Sequence, residues 1–152
     1  MTVGVISDTH GLMRPEAVDA LRGSSLILHA GDVGNAAVLD QLRAIAPTRA
    51  VRGNVDTAAW AAVLPMTDVV EIGARQVYIL HDLAALDLDP QAAGFAAVIS
   101  GHTHRSHAEV RRGVLYLNPG AAGPRRFTLP VSIAKLHFNG IRLSPEIVEL
   151  QV

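Results

Sequence analysis

Seven residues of metal-ligand type stand out along the chain: Asp8, His10, Asp32, Asn54, His81, His102 and His104. Each group directly follows a short apolar run, at Thr2–Ile6, Leu26–Leu28, Thr48–Val51, Val77–Leu80 and Phe95–Ile99. A parallel sheet brings the carboxyl ends of such runs to one edge, and open α/β sheets place their ligands there. The converging oxygen and nitrogen donors suffice for two metal ions. Two ions roughly 3.5–4 Å apart in one cleft point to hydrolysis of a phosphate ester.

In an extended segment residues i and i+2 share a face. Asp8 and His10 are therefore expected to reach one ion together, and His102 and His104 to reach two adjacent ions. Asp32 follows the middle strand of the series, so it takes the bridging position. Asn54 offers a neutral oxygen and His81 a neutral nitrogen. A set rich in imidazole with only two carboxylates suits Mn²⁺, Fe, Ni²⁺ or Zn²⁺ better than Ca²⁺ or Mg²⁺, and Mn²⁺ is the first choice.

The elements that must position these groups are βαβ units. The ligand positions 8, 32, 54, 81 and 102 lie 24, 22, 27 and 21 residues apart, each gap about one strand plus one helix or hairpin crossover. Pro15 opens a helix over 15–22, Asn35 caps another over 36–45 that ends before Pro47, and Asp89–Ala93 carries a weaker helical pattern. After residue 104 the pattern turns to strands near 106–111, 113–117, 131–138 and 141–150, with turns at Arg112-Gly113 and Asn139-Gly140. These predict a second, mostly antiparallel sheet packed on the first, as the inner layers of an α/β/β/α sandwich. The stretch from Asn118 to Arg126 is glycine-rich and too irregular for either sheet.

With 152 residues the chain fits a single domain over 1–152. Its 49% hydrophobic content excludes disorder, yet no stretch reaches the roughly 20 uncharged apolar residues of a membrane helix. The start lacks a basic leader and the chain has no Cys, so a soluble, cytoplasmic protein is expected. A net charge of −1 and 4% aromatics favour neither a long nucleic acid nor a membrane surface, and point to a small substrate.

The ordered set D-x-H, G-D, G-N, H and G-H-x-H resembles the calcineurin-like metallophosphoesterase superfamily, and Gly53-Asn54-Val55-Asp56 resembles its small prokaryotic phosphodiesterase branch. The resemblance runs from Ile6 through Asn118-Pro119-Gly120. It implies an α/β fold, a four-layer α/β/β/α sandwich of two mixed β-sheets flanked by helices, with a dinuclear site. Asp8, His10, Asp32 and His104 would hold one ion, and Asp32, Asn54, His81 and His102 the other. A hydroxide bridging the ions would attack phosphorus of a small phosphodiester in line, with Asp32, Asn54 and His102 as the catalytic residues. A phosphomonoesterase is the nearest alternative. A non-catalytic scaffold, as in the retromer subunit of this fold, is the other. Members are often oligomers, so a homo-oligomer is an expectation by resemblance.

Three departures from the family pattern matter. Val55 stands where larger members carry a His that protonates the leaving group. His81 is followed by Asp82 in place of Gly, which adds a carboxylate. Ala121 follows Asn118-Pro119-Gly120 where a Ser is common. Outside the ligand set, His29 is read as a core residue making supporting hydrogen bonds, His107 as solvated and His137 as buried and structural. Arg125 and Arg126 are equally a phosphate clamp or surface charge. Arg52 is read as half of a structural pair, and Trp60 as helix packing or a cleft lip.

Overall fold

Alternating side chains at the start of the chain divide β1 (Thr2–Ile6) between two cores: Val3 and Val5 face one, Ile6 the other. A strand apolar on both faces belongs at the centre of a layered fold. In the computed structural model, which describes residues 1–152, β1 is the middle strand of a five-stranded sheet. It pairs in parallel with β2 (Leu26–His29), which pairs in parallel with β3 (Thr48–Ala50). On its other side lies β9 (Ser132–Phe138), antiparallel, followed by β10 (Leu143–Glu149).

The second sheet is also mixed. Its order is β4 (Thr67–Ile72), β5 (Arg75–Leu80), β6 (Phe95–Ile99), β8 (Val114–Pro119) and β7 (Ser106–Arg111). The three central strands are parallel and the two edges antiparallel. Val3, Val5, Leu28 and Leu136 of the first sheet meet Ile72, Ile79, Ile99 and Leu117 of the second in a core between the layers. Each such side chain removed from water stabilises the sandwich by roughly 1.5–3 kcal/mol before conformational entropy is set against it.

Helices α1 (Pro15–Leu21) and α2 (Ala36–Arg43) cover the outer face of the first sheet. Ala17 and Leu21 of α1, with Val38, Leu39 and Leu42 of α2, bury against Ile6, Ile27 and Ile133. Pro15 takes the first helical position of α1, and the Asn35 side chain accepts from Val38 N–H at 3.2 Å to cap α2. Trp60, in the 3₁₀ turn Ala59–Val63, packs half-buried on the same core. The outer face of the second sheet, with Tyr78, Leu80, Val98 and Val114, is covered by Leu83, Leu86 and Leu88 from a 3₁₀ turn and its following loop. The four-layer sandwich of two mixed sheets is thus present, with a thin fourth layer.

Several sequence expectations change in detail. The five ligand-bearing runs do not form one sheet: β1, β2 and β3 are in the first, β5 and β6 in the second. The last two strands return to the first sheet beside β1 instead of joining the second. Spacing fixes the length of each connection, whereas sheet membership is decided by long-range pairing. The gap between positions 54 and 81 holds a β4–β5 hairpin, closed around Gly73 and Ala74, that alternation did not reveal. Asp89–Ala93 is a single hydrogen-bonded turn, with Ala93 N–H on Asp89 O at 2.9 Å, and not a helix. The Asn139-Gly140 hairpin has a four-residue loop, 139–142, because the Asn139 carboxamide accepts from both Ile141 and Arg142 N–H. Arg112 and Gly113, both at positive φ, make the expected two-residue turn.

Candidate metal centre

Both sheets end at the same place. Asp8 and His10 follow β1, Asp32 follows β2 and Asn54 follows β3, while His81 follows β5 and His102 and His104 follow β6. The loops are not extended. Asp8, His10, Asp32, His102 and His104 sit at φ of 54°, 46°, 56°, 74° and 62°, in the left-handed region. Side chains of a pair converge because the backbone reverses at each ligand, and not through the i, i+2 alternation expected from sequence. Left-handed backbone costs a non-glycine residue on the order of 1–2 kcal/mol, and such residues gather at functional sites.

Close packing of the turns demands glycine. A Cβ at Gly53 would overlap the backbone nitrogen and Oδ1 of Asp32, and one at Gly101 would overlap Ser7 Oγ. Buried hydrogen bonds then fix each turn. The Asp56 carboxylate, 1% exposed, accepts from Val33, Gly34 and Gly53 N–H at 3.1, 3.0 and 2.9 Å, tying the Asp32 loop to the Asn54 loop. His29 Nδ1 accepts from Gly31 N–H at 3.0 Å, so its Nε2 donates to Thr9 Oγ1, also at 3.0 Å. Burial lowers the His29 pKa to about 4, which keeps the ring neutral. Asn118 donates to Gly101 O and Thr103 Oγ1 at 2.9 and 3.2 Å, holding the Gly101–His104 turn from below.

Asp8 is fully buried, and its Oδ2 accepts from Ser7 Oγ and His102 N–H at 2.7 and 3.0 Å. Its Oδ1 has no hydrogen-bond partner, and neither has His10 Nε2, 3.8 Å away. His104 Nε2 lies 3.4 Å from the same oxygen. On the other side, Asp32 Oδ1 accepts from Val55 N–H at 3.0 Å, leaving Oδ2 free at 3.6 Å from His10 Nε2 and 3.3 Å from His81 Nε2. His81 Nδ1 donates to Ala30 O at 2.8 Å, so the neutral ring presents a bare acceptor at Nε2. That atom faces Asn54 Oδ1 at 3.0 Å and His102 Nδ1 at 3.3 Å. Acceptors turned towards one another, and buried acceptors with no donor, are the arrangement a cation satisfies.

Two groups of ligand atoms result, each within 4.8 Å of one another: Asp8, His10 and His104, and Asp8, Asp32 and His81. Asn54 and His102 adjoin the second through His81 Nε2. The sequence-derived residues are thus all brought together. Electrostatics agree with a cation-shaped centre. Burial alone would lower the His81 pKa, yet contacts with Asp32 and Ala30 O and the charge of Asp8 raise it above the usual histidine value. Burial alone would raise Asp32, but His81 and the Val55 N–H hold it below the usual carboxylate range. His104 is lowered by burial, against the pull of Asp8, with Arg126 adding to the effect.

Residues outside this set also find their places. Asp82 accepts from Ala84 N–H through Oδ1 and sets Oδ2 3.8 Å from His102 Nε2. His107 pairs with Glu109 at 3.0 Å on the exposed strand β7. His137 is not buried as expected: its side chain is 42% exposed and links Thr2 and Glu146 across three strands. Arg125 spends its guanidinium on the carbonyls of Leu129 and Val152. Arg126 lines a hollow beside His10 and His104. Arg52, read as half of a structural pair, donates to Leu64 O at 3.3 Å and pairs with no acid. Sequence reading missed Asp56 and Asn118 as positioning residues. Their signal was present in Gly53-Asn54-Val55-Asp56 and Asn118-Pro119-Gly120, but not the bonds they make.

Comparison with known proteins matches the model of the calcineurin-like phosphoesterase superfamily domain over residues 1–140. A probable metallophosphoesterase from Methanothermobacter thermautotrophicus is 36% identical over 160 aligned positions, covering 97% of this chain and 92% of the relative. Among solved structures, an archaeal phosphodiesterase aligns with a TM-score of 0.81 at 23% identity, covering 97% of this chain and all of the other, here 100%. Vps29 of Chaetomium thermophilum aligns at 0.79 and 20% identity, covering 97% and 96%; at these identities the two structures speak for the fold alone. The donor set, the fold and the matched relatives lead to one conclusion: the chain belongs to the calcineurin-like phosphoesterase superfamily, whose members are metal-binding hydrolases of phosphoric esters.

Proposed function

We propose that this protein is a cytoplasmic, dinuclear, metal-dependent phosphodiesterase acting on small phosphodiesters. The observation that carries the reading is the place of Asp32 Oδ2, midway between His10 Nε2 and His81 Nε2 at 3.6 and 3.3 Å with no N–H of its own. Asp8, His10, Asp32 and His104 would hold one ion, and Asp32, Asn54, His81 and His102 the second, with Mn²⁺ the first choice. When bound, the pair supplies Lewis acidity and a nucleophile available at neutral pH. The chain's own contribution is to hold His81 with Nε2 inward through Ala30 O, and to set Asn54 and His102 where substrate oxygens gain charge.

Preference for a diester rests on shape. The ligand cluster is flanked by two hollows, one beside His81 and His102 and one beside His10 and His104. A phosphate seated between them has room for an ester arm on either side. The test is hydrolysis of bis(p-nitrophenyl) phosphate against p-nitrophenyl phosphate by protein loaded with Mn²⁺. A kcat/KM for the diester at least about tenfold higher is expected. Equal or reversed values would assign a monoesterase, and no turnover of either would assign a binding role.

A further inference from the structure

The hollow beside His81 and His102 is a cavity of about 410 Å³, within the range that holds an organic ligand. Asn54, His81 and His102 form the wall it shares with the metal centre. Its other lining joins two chemistries. Met66, Tyr78 and Leu80 give an apolar surface, while Arg52, Asp82 and Asp87 supply charge. Tyr78 is 7% exposed and tilted against Phe95 with ring centroids 5.1 Å apart, so its ring is packed into the outer face of the second sheet.

Two carboxylates against one guanidinium give the lining more acceptors than donors. A second phosphate placed against Asp82 and Asp87 would meet acceptors where its oxygens need donors, whereas hydroxyl groups would donate to both. Arg52 lines the same space, with Nη2 given to Leu64 O at 3.3 Å. The apolar surface asks for the carbon face of a ring. We infer that this cavity seats one ester arm of the substrate, an uncharged, hydroxyl-bearing group of sugar or nucleoside size without a further phosphate. This rests on the phosphodiesterase reading and names the substrate class for the same centre.

The test keeps the leaving group constant. Three p-nitrophenyl diesters are compared on the Mn²⁺-loaded protein: the methyl ester, the thymidine 5′-ester, and the thymidine 5′-ester carrying a 3′-phosphate. The thymidine ester should exceed the methyl ester in kcat/KM by about tenfold, the worth of one hydrogen bond to a charged group. The added 3′-phosphate should cancel that advantage. Asp87→Asn, which removes an acceptor charge, and Met66→Trp, which fills the space, should each bring the thymidine-to-methyl ratio towards one. A binding readout stands beside the kinetics. The chain has three methionines, Met1, Met13 and Met66, of which only Met66 lines the cavity. Thymidine 5′-(methyl phosphate) should shift the ¹³C-methyl signal of Met66 and leave that of Met13 in place.

A ratio near one in the parent, an advantage retained in both variants, or an unmoved Met66 signal would overturn the inference while leaving the phosphodiesterase reading intact. Hydrolysis of none of the esters would overturn that reading, and the Met66 signal would then decide the cavity alone: a shift supports a seat for a nucleoside-type group, no shift rejects it.

Discussion

At the scale of single residues, Asp32 and Val55 carry the sharpest consequences. Asp32 divides its carboxylate, with Oδ1 on Val55 N–H and Oδ2 between two imidazoles. Asp32→Asn keeps the shape but places a neutral amide where both ions would share a charge. Residues that only support metal ligands cost about 10–100-fold when changed, so this bridge should cost more than 100-fold in kcat/KM, the largest loss of any single ligand change. Two ions per chain and near-normal rates in Asp32→Asn would remove the bridging role. Val55 is 44% exposed beside this carboxylate and has no proton to give. Three further titratable groups are also engaged elsewhere: Asp56 and His29 are buried with their hydrogen bonds committed, and His107 faces Glu109. Rates over a series of aryl and alkyl diesters should therefore fall steeply as leaving-group pKa rises. Val55→His should rescue the alkyl esters by up to about 10²-fold and leave nitrophenyl rates nearly unchanged. A shallow slope in the parent would locate a proton donor elsewhere.

At the scale of elements, the site depends on what holds the turns after the strands. His29 closes β2 and locks the Gly31 turn in its neutral form, with a pKa lowered to about 4 against an ordinary 6.5. Between these values the unfolded chain binds the proton that the folded one refuses, so stability rises with pH across pH 4–6.5 and is lost as pH falls through that window. At pH 5 the loss amounts to about 2 kcal/mol relative to neutral pH. Urea unfolding of the metal-free protein at pH 7 and pH 5, beside His29→Asn, measures it. The variant should be less stable at neutral pH and lose less on acidification, and parallel losses would exclude His29 as the source. The sequence made the ligands legible because their types and order are local. It also made the two helices legible, through Pro15, Asn35 and the apolar spacing of Val38, Leu39 and Leu42. It did not show that β9 and β10 return to pair beside β1, since Ile133 and Leu136 would be buried equally well in either sheet. Nor did it show the left-handed backbone at five ligands, which arises from tertiary packing of turn on turn.

At the scale of the whole molecule, the centre lies across the seam between two sheets. Asp8, His10, Asp32 and Asn54 come from the first, and His81, His102 and His104 from the second. Elsewhere the seam is joined by the interlayer core and by an exposed fork, Arg49 to Asp68 at 2.9 Å on both arms, between β3 and β4. An exposed pair of this kind contributes at most about 1 kcal/mol. Each ion held by both sheets contributes by mass action, about 2.7 kcal/mol when free metal is a hundred times its Kd. For a chain of this size that corresponds to a rise in Tm of roughly 5–10 °C per ion. Melting curves of the parent with Mn²⁺ and with a chelator should show this difference. Arg49→Ala should lower both curves slightly and leave the gap unchanged, because neither Arg49 nor Asp68 belongs to the ligand cluster. His104→Ala should narrow the gap, because it frees one ion from the second sheet. The gap is read within each protein, because removing the buried imidazole leaves position 104 in its left-handed backbone and shifts the metal-free melt by itself. A parent whose Tm ignores metal, while elemental analysis finds ions bound, would mean that the ions do not bind across the seam.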